Sequence, residues 1–285
     1  MNYLISYSKA TSRIIYLSIC THIPLSILIY LANIKIDNLT YYNTQSSLNH
    51  NKPMRITLLS DIHLEFKRSF YPIISRLTNH AQTDVCVLAG DIGYCTQPIY
   101  SNFLHETKQI FKNVIVIPGN HEYWTRESMA DIDKRIAEIC NKNSCIFLNK
   151  STIEIDNHKF IGCTLWSDVS KVTKSNHNNN FLTDLHRDHL QWLKNELAKN
   201  QKSIVVTHHC PSFDLITSKY PRNPSSVFYY SNLNYLINKP IQAWLCGHSH
   251  HQNHIIFNGV PIFMNPIGHE HENSEWNNEL YIDID

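Results

Sequence analysis

Apolar residues in this chain come in short runs, and polar residues gather where the runs stop. Residues 55–59, 84–89 and 114–117 are compact and rich in β-branched side chains, the pattern of strands buried on both faces. Between them, residues 71–79 and 99–112 place apolar side chains at a helical period. The order β-α-β-α-β predicts a parallel sheet. Residues 127–140 read as a further amphipathic helix. Residues 145–148, 152–155 and 159–165 read as short strands, the last two joined as a hairpin at Asp156-Asn157-His158. Residues 167–180 read as a loop, and Thr183 as the cap of a helix carrying Leu185, Leu190, Trp192, Leu193 and Leu197. Residues 203–207 and 243–246 are strands again, separated by an irregular stretch that holds Pro211, Pro221 and Pro224. Residues 254–257, 262–264 and 280–284 read as closing antiparallel strands.

Residues 1–53 stand outside this pattern. Residues 14–34 contain no Lys, Arg, Asp or Glu, close to the roughly twenty needed to cross a bilayer as a helix. Lys9 and Arg13 precede them and favour a cytoplasmic amino terminus if the segment inserts. Ser18, Thr21, His22, Pro24, Ser26 and Asn33 make it a mediocre span. Three readings stand: a membrane anchor for a cytoplasmic domain, a signal peptide without a clear cleavage site, or an extension upstream of a start at Met54. Residues 38–53, polar and rich in Asn and Ser, read as a linker. The expected organisation is therefore an extension, 1–53, and one domain, 54–285.

Composition narrows the class. With 42% hydrophobic and 17% charged residues the chain is globular, not disordered. Its 25 basic and 24 acidic residues leave a net charge of +1, which supplies no broad field for duplex nucleic acid. The eight cysteines form no C-x-x-C pair, and Cys86, Cys163 and Cys246 sit inside apolar runs, so they read as buried free thiols of a reducing compartment.

The 18 histidines change the picture through their placement. Five strand ends carry similar groups: Asp61-Ile62-His63, Gly90-Asp91, Gly119-Asn120-His121-Glu122, His208-His209 and Gly247-His248-Ser249-His250. Open α/β sheets bind ligands at that edge. Side chains two apart on extended chain share a side, so Asp61 with His63, and His248 with His250, can aim at one point. Asp91 has two oxygens with which to bridge two cations, and Asn120 offers a neutral carbonyl oxygen. Gly90, Gly119 and Gly247 permit tight backbone turns. Oxygen and imidazole without thiolate suit Mn, Fe, Zn or Co better than a structural zinc.

These five motifs in this order resemble the signature of the calcineurin-like metallophosphoesterases, D-x-H, GD, GNH-[DE], H and GH-x-H, across residues 54 to the end. The resemblance implies a four-layer α/β/β/α sandwich of two mixed sheets, with a dinuclear metal site at the strand carboxyl ends. It implies Asp61, His63, Asp91 and His250 around one divalent ion, and Asp91, Asn120, His208 and His248 around the other. His121 would be the catalytic residue outside the metal shell. The implied reaction is hydrolysis of a phosphomonoester or phosphodiester by two-metal activation of a bridging hydroxide. A non-catalytic scaffold on the same fold, and a nuclease, are the alternatives. The run Gly90-Asp91-Ile92-Gly93-Tyr94 lacks the V-D-R-G continuation of the protein Ser/Thr phosphatases, and with it their phosphate-gripping arginine. Ser60-Asp61-Ile62-His63-Leu64-Glu65-Phe66, Thr207-His208-His209 and Asn265-Pro266-Ile267-Gly268 look instead like small single-domain bacterial members.

Several neighbours carry plainer expectations. His209 should face away from His208, and Glu122 should support the loop. His251 and His254 should lie outside the shell. Asp184, Asp188 and His189 should form a solvated helix face. For His269 and His271, after Asn265-Pro266, a surface loop is the expectation and a site rim the other reading; for Trp124, Phe228, Tyr229 and Tyr230 core packing is the expectation and a substrate cleft the other reading.

Overall fold

Alternating strands and helices run through the first half of the computed structural model. It describes residues 53–285 apart from 79–82, 171, 173–176, 217–224, 270–271 and 273–275. The order is β1 (Met54–Leu59), α1 (Tyr71–Leu77), β2 (Val85–Ala89), α2 (Pro98–Ile110), β3 (Asn113–Ile117), α3 (Met129–Lys142) and β4 (Ile146–Phe147). Then come β5 (Ser151–Ile155), β6 (His158–Cys163), α4 (His177–Leu197), β7 (Ser203–Thr207), β8 (Ile241–Cys246), β9 (Asn253–Phe257), β10 (Val260–Met264) and β11 (Ile282–Ile284). One sheet has the order β11-β1-β2-β3-β4, the other β5-β6-β7-β8-β10-β9, and both mix parallel and antiparallel pairs. Residues Met54–Ile284 form one compact unit.

The period of two along each strand sorts its side chains between layers. Ile56, Leu58, Val85, Val87, Ile115 and Ile117 of the first sheet pack against Ile204, Val206, Ala243 and Leu245 of the second. The alternate residues Cys86, Leu88, Val114 and Val116 face the other way and meet α1, α2 and α3. Helix α2 presents Tyr100, Phe103, Leu104 and Thr107, and α3 Ile132, Ile136 and Cys140, one stripe each at helical spacing. Beyond the second sheet, Val205, Trp244 and Cys246 pack on Leu193 of α4. The layers are therefore α/β/β/α.

Three expectations change. Helix α4 starts at His177, inside the stretch read as a loop, so Thr183 lies within the helix and is buried instead of capping it. Docking of a long apolar stripe on a sheet outweighs the weak helix propensity of the asparagines. The closing strands are not one antiparallel unit: β9 and β10 form a hairpin, but β10 lies parallel to β8 and β11 joins β1 in the other sheet. Residues 167–176 and 211–231 aside, the other elements agree with the reading to within a few residues, the usual play at element ends.

Among the described residues no helix is long and apolar enough to cross a membrane, and residues 14–34 lie outside them. Among the described residues seven cysteines, from Cys86 to Cys246, are free and buried.

Candidate metal centre

The chain turns sharply after β1, β2 and β8 as it enters the site. Asp61, His63, Asp91, His248 and His250 all have φ between 49° and 73°, a left-handed conformation that costs a non-glycine residue free energy. Backbone bonds from Asp61 N–H to the Gly90 carbonyl (3.0 Å), His63 N–H to Asp91 (2.9 Å) and Gly268 N–H to Asp61 (2.8 Å) hold these kinks. Among the three glycines expected to turn, only Gly90 has a positive φ, 86°. Gly119 serves close approach instead, since a Cβ there would lie 2.2 Å from Asp91 Oδ1.

The seven candidate ligands converge. Asp91 Oδ1 accepts the His121 backbone N–H at 2.8 Å, which leaves Oδ2 to face both halves of the cluster. Oδ2 is 3.9 Å from His63 Nε2 on one side and 3.3 Å from His208 Nε2 on the other. On the first side, His250 Nε2 lies 2.9 Å from His63 Nε2 and 3.4 Å from Asp61 Oδ1. On the second, Asn120 Oδ1 is 3.1 Å from His208 Nε2, and His248 joins the group formed with Asp91 and His208.

The donor set fits divalent cations by a further observation. Each of the four imidazoles has one ring nitrogen engaged by an oxygen outside the cluster. His208 Nδ1 donates to the Ala89 carbonyl (2.9 Å), His248 Nε2 to the Phe228 carbonyl (3.0 Å), His63 Nδ1 to Glu65 (3.1 Å) and His250 Nδ1 to Glu272. That fixes ring orientation and leaves the second nitrogen as a lone-pair donor, the usual second-layer arrangement of metal-binding histidines.

Buried charge dominates the electrostatics. Burial by itself would raise the Asp91 carboxyl, but His208, His121 and His63 around it hold it well below the usual range. Burial would depress His208, yet Asp91 pulls it up to about 10. His250 is raised to about 9 by Asp61 and Glu272 against the same burial penalty, while burial and the charge on His208 push His248 down to about 4. Carboxylates that draw protons onto neighbouring imidazoles present the negative potential that a metal ion exploits.

The neighbours sort out as follows. Glu122 accepts backbone N–H groups from Gly119 (2.7 Å), Ile92 (2.7 Å), Asp91 (3.1 Å) and Gly93 (3.2 Å) and so ties two loops together. Burial and the Asp91 charge raise it to about 7 against those four donors. His209 packs against His248, ring centroids 4.0 Å apart, and against Trp166 at 5.5 Å, with Nδ1 3.4 Å from the Thr164 carbonyl. His254 stacks on Phe263, outside the cluster. His269 does not sit on a plain surface loop: its ring lies 4.4 Å from that of His63 at the site rim; His271 lies outside the described residues.

Asp184 is exposed, but His189 is buried, so the solvated-face expectation fails for it. His189 Nδ1 accepts the Leu165 N–H at 3.3 Å, and His186 Nδ1 donates to the Leu165 and Trp166 carbonyls, so α4 holds a left-handed turn that sets Trp166 beside the site.

A cavity of about 420 Å³ opens over the cluster, lined in part by Trp124, Trp166, Phe228, Tyr229 and His209. Trp124, 59% exposed, stacks on His121 at 3.7 Å. Core packing was the wrong expectation for Trp124, whereas Tyr230 packs on Phe213.

Two acidic residues were missed in the sequence. Glu272 stands in a stretch without periodicity, and nothing local announces it. Glu65 had a signal, because Asp61, His63 and Glu65 continue one period-two series.

The model of the calcineurin-like phosphoesterase family matches residues 54–252. An uncharacterized protein of Acanthamoeba polyphaga mimivirus is 28% identical over 268 residues, covering 80% of this chain and 95% of its own length. Phosphopantetheinyl hydrolase (PptH) of Mycobacterium tuberculosis has a similar fold, with a TM-score of 0.59 at 14% identity over 78% of this chain and 95% of that one.

Proposed function

This chain belongs to the calcineurin-like phosphoesterases, and from that premise we propose that it hydrolyses small phosphate esters at the cluster around Asp91. In this reading Asp61, His63, Asp91 and His250 hold one divalent cation, and Asp91, Asn120, His208 and His248 hold a second. The observation that carries it is the position of Asp91 Oδ2, which faces both imidazole groups while Oδ1 is held by the His121 N–H. Bound cations supply positive charge for the phosphoryl oxygens and make water acidic enough to attack at neutral pH.

The chain's own residues do the rest. Asp91 and Asp61, both fully buried, set the charge that fixes the cations in place. His121, ligated to neither, holds a proton at Nε2 and delivers it to the leaving oxygen. Trp124, stacked on His121, and Phe228 form a flat apolar wall for the leaving group.

The test is hydrolysis by the full chain of a phosphomonoester, a phosphodiester and DNA, with Mn²⁺, Zn²⁺ and Fe²⁺ in turn. We expect ester hydrolysis with at least one metal. Asp91→Ala should lose both bound metal and turnover, and His121→Ala should keep the metal while kcat falls by about a hundredfold or more. Full activity in Asp91→Ala would overturn the assignment. Inactivity of the wild type with every metal and ester would favour a scaffold, and cleavage of DNA alone a nuclease.

A further inference from the structure

We infer that Glu65 is a positioning residue whose single carboxylate orients both the proton-donating His121 and the metal-facing His63. The inference rests on the hydrolytic reading above. Glu65 sits in a short 3₁₀ turn, Leu64–Phe66, directly after β1, and its side chain is 1% exposed. One oxygen, Oε1, lies 2.8 Å from His121 Nδ1 and 3.1 Å from His63 Nδ1. Carboxylate oxygens accept, so each ring presents an N–H at Nδ1 to Oε1; His63 Nε2 then keeps its lone pair, and for His121 to give up a proton at Nε2 that ring carries both protons. The Nε2 atoms of both rings are then left facing Asp91 Oδ2, at 4.0 Å from His121 and 3.9 Å from His63. One side chain thus fixes the Nδ1–H of two rings on two motifs.

The surroundings are built for it. Gly93 leaves the space: a Cβ there would lie 3.0 Å from Glu65 Oε2 and 2.9 Å from Leu64 Cβ. The turn is pinned by Leu64 N–H to the Ile92 carbonyl at 2.9 Å. His121 is held on three sides, by Glu65 at Nδ1, by the Trp124 ring on its face and by Asp91 Oδ1 at its backbone N–H. The rival carboxylate, Glu122, is adjacent in sequence but committed to four backbone donors. No proton is moved to Glu65 at any step; it fixes the ring that gives one up.

The experiment compares wild type, Glu65→Gln, His121→Ala and the double variant in the full chain. Two esters are used, 4-nitrophenyl phosphate, whose leaving group needs little protonation, and an alkyl phosphate, whose leaving group needs it. With Mn²⁺ saturating, Glu65→Gln should lower kcat on the alkyl ester by about a hundredfold, far less on the nitrophenyl ester, with KM little changed. The double variant should be no slower than His121→Ala. Mn²⁺ affinity, read by calorimetry, should fall by about tenfold or more through His63. An equal loss on both esters, or full recovery with excess Mn²⁺, would overturn the inference and leave Glu65 a structural support.

Nitrogen NMR of histidine-labelled protein gives a reading without turnover. The His121 and His63 rings should be protonated at Nδ1 in wild type and lose that preference in Glu65→Gln. Protonation at Nε2 instead would refute the geometry. If no ester is hydrolysed but the Nδ1 protons are present, the Glu65 assignment stands and the hydrolytic reading falls.

Discussion

At the scale of single residues, position in space decides what a side chain type can mean. His189 and His121 are both histidines near the site edge, yet one is a buried neutral ring that accepts a backbone N–H and the other borders the cavity. Burial, reinforced by the charge on Lys150, pushes His189 down to about 4 from an ordinary 6.5. The folded state therefore resists protonation that the unfolded chain accepts. Its contribution to stability is fully present above pH 6.5 and is lost as the pH falls from there through 4, amounting to roughly 3 kcal/mol over 2.5 pH units. His189→Gln, which retains an acceptor for Leu165, should flatten urea-unfolding stability over that range in chelator-treated protein. An unchanged pH slope would show that His189 is not the titrating group. Residue identity along the chain was enough to point to Asp61, Asp91 and His208, because each follows a strand. It was not enough for Glu272, which reaches His250 only through the closing of a loop.

At the scale of elements, the periods of two and 3.6 are legible because each element buries its own face. Helix α3 shows this: Ile132, Ile136 and Cys140 give the stripe, and Ser128 caps it by accepting the Asp131 N–H at 3.2 Å. Ser128→Ala should cost about 1 kcal/mol, read as a lower denaturant midpoint at unchanged m-value, and Ser128→Gly less. A neutral Ser128→Ala would mean the helix start is held by tertiary contacts alone. Periodicity did not reveal where α4 begins or which sheet receives β11. Asn-rich sequence is a weak helix former in isolation, and the packing of Leu190, Leu193 and Leu197 on the second sheet stabilises the helix as a whole. For β11, Ile282 and Ile284 are apolar on one face whichever strand they meet, and the free edge of β1 supplies the partner.

At the scale of the whole molecule, the two sheets bring five strand ends into one cluster, and the buried carboxylates there draw protons onto His208 and His250, charge that a bound cation would replace. Divalent metal should therefore stabilise the fold as well as arm it. After treatment with chelator, Mn²⁺ at a hundred times its dissociation constant should add about 2.7 kcal/mol to the unfolding free energy, seen as a rise in Tm. Asp91→Ala should abolish the rise, and a wild-type Tm indifferent to every divalent ion tested would speak against the centre. The amino-acid sequence by itself determined the strand and helix periods, the glycine-bordered turns and the order of Asp, Asn and His at the strand ends, because those depend on neighbours in the chain. Only the tertiary structure decided which imidazole nitrogen faces the cluster, that Glu65 serves two histidines, that Gly119 makes room instead of turning, and that Trp124 stands in a cavity wall. Most of those facts depend on residues far apart in sequence, such as Glu65 with His121 and Gly119 with Asp91, and they exist once both sheets are packed.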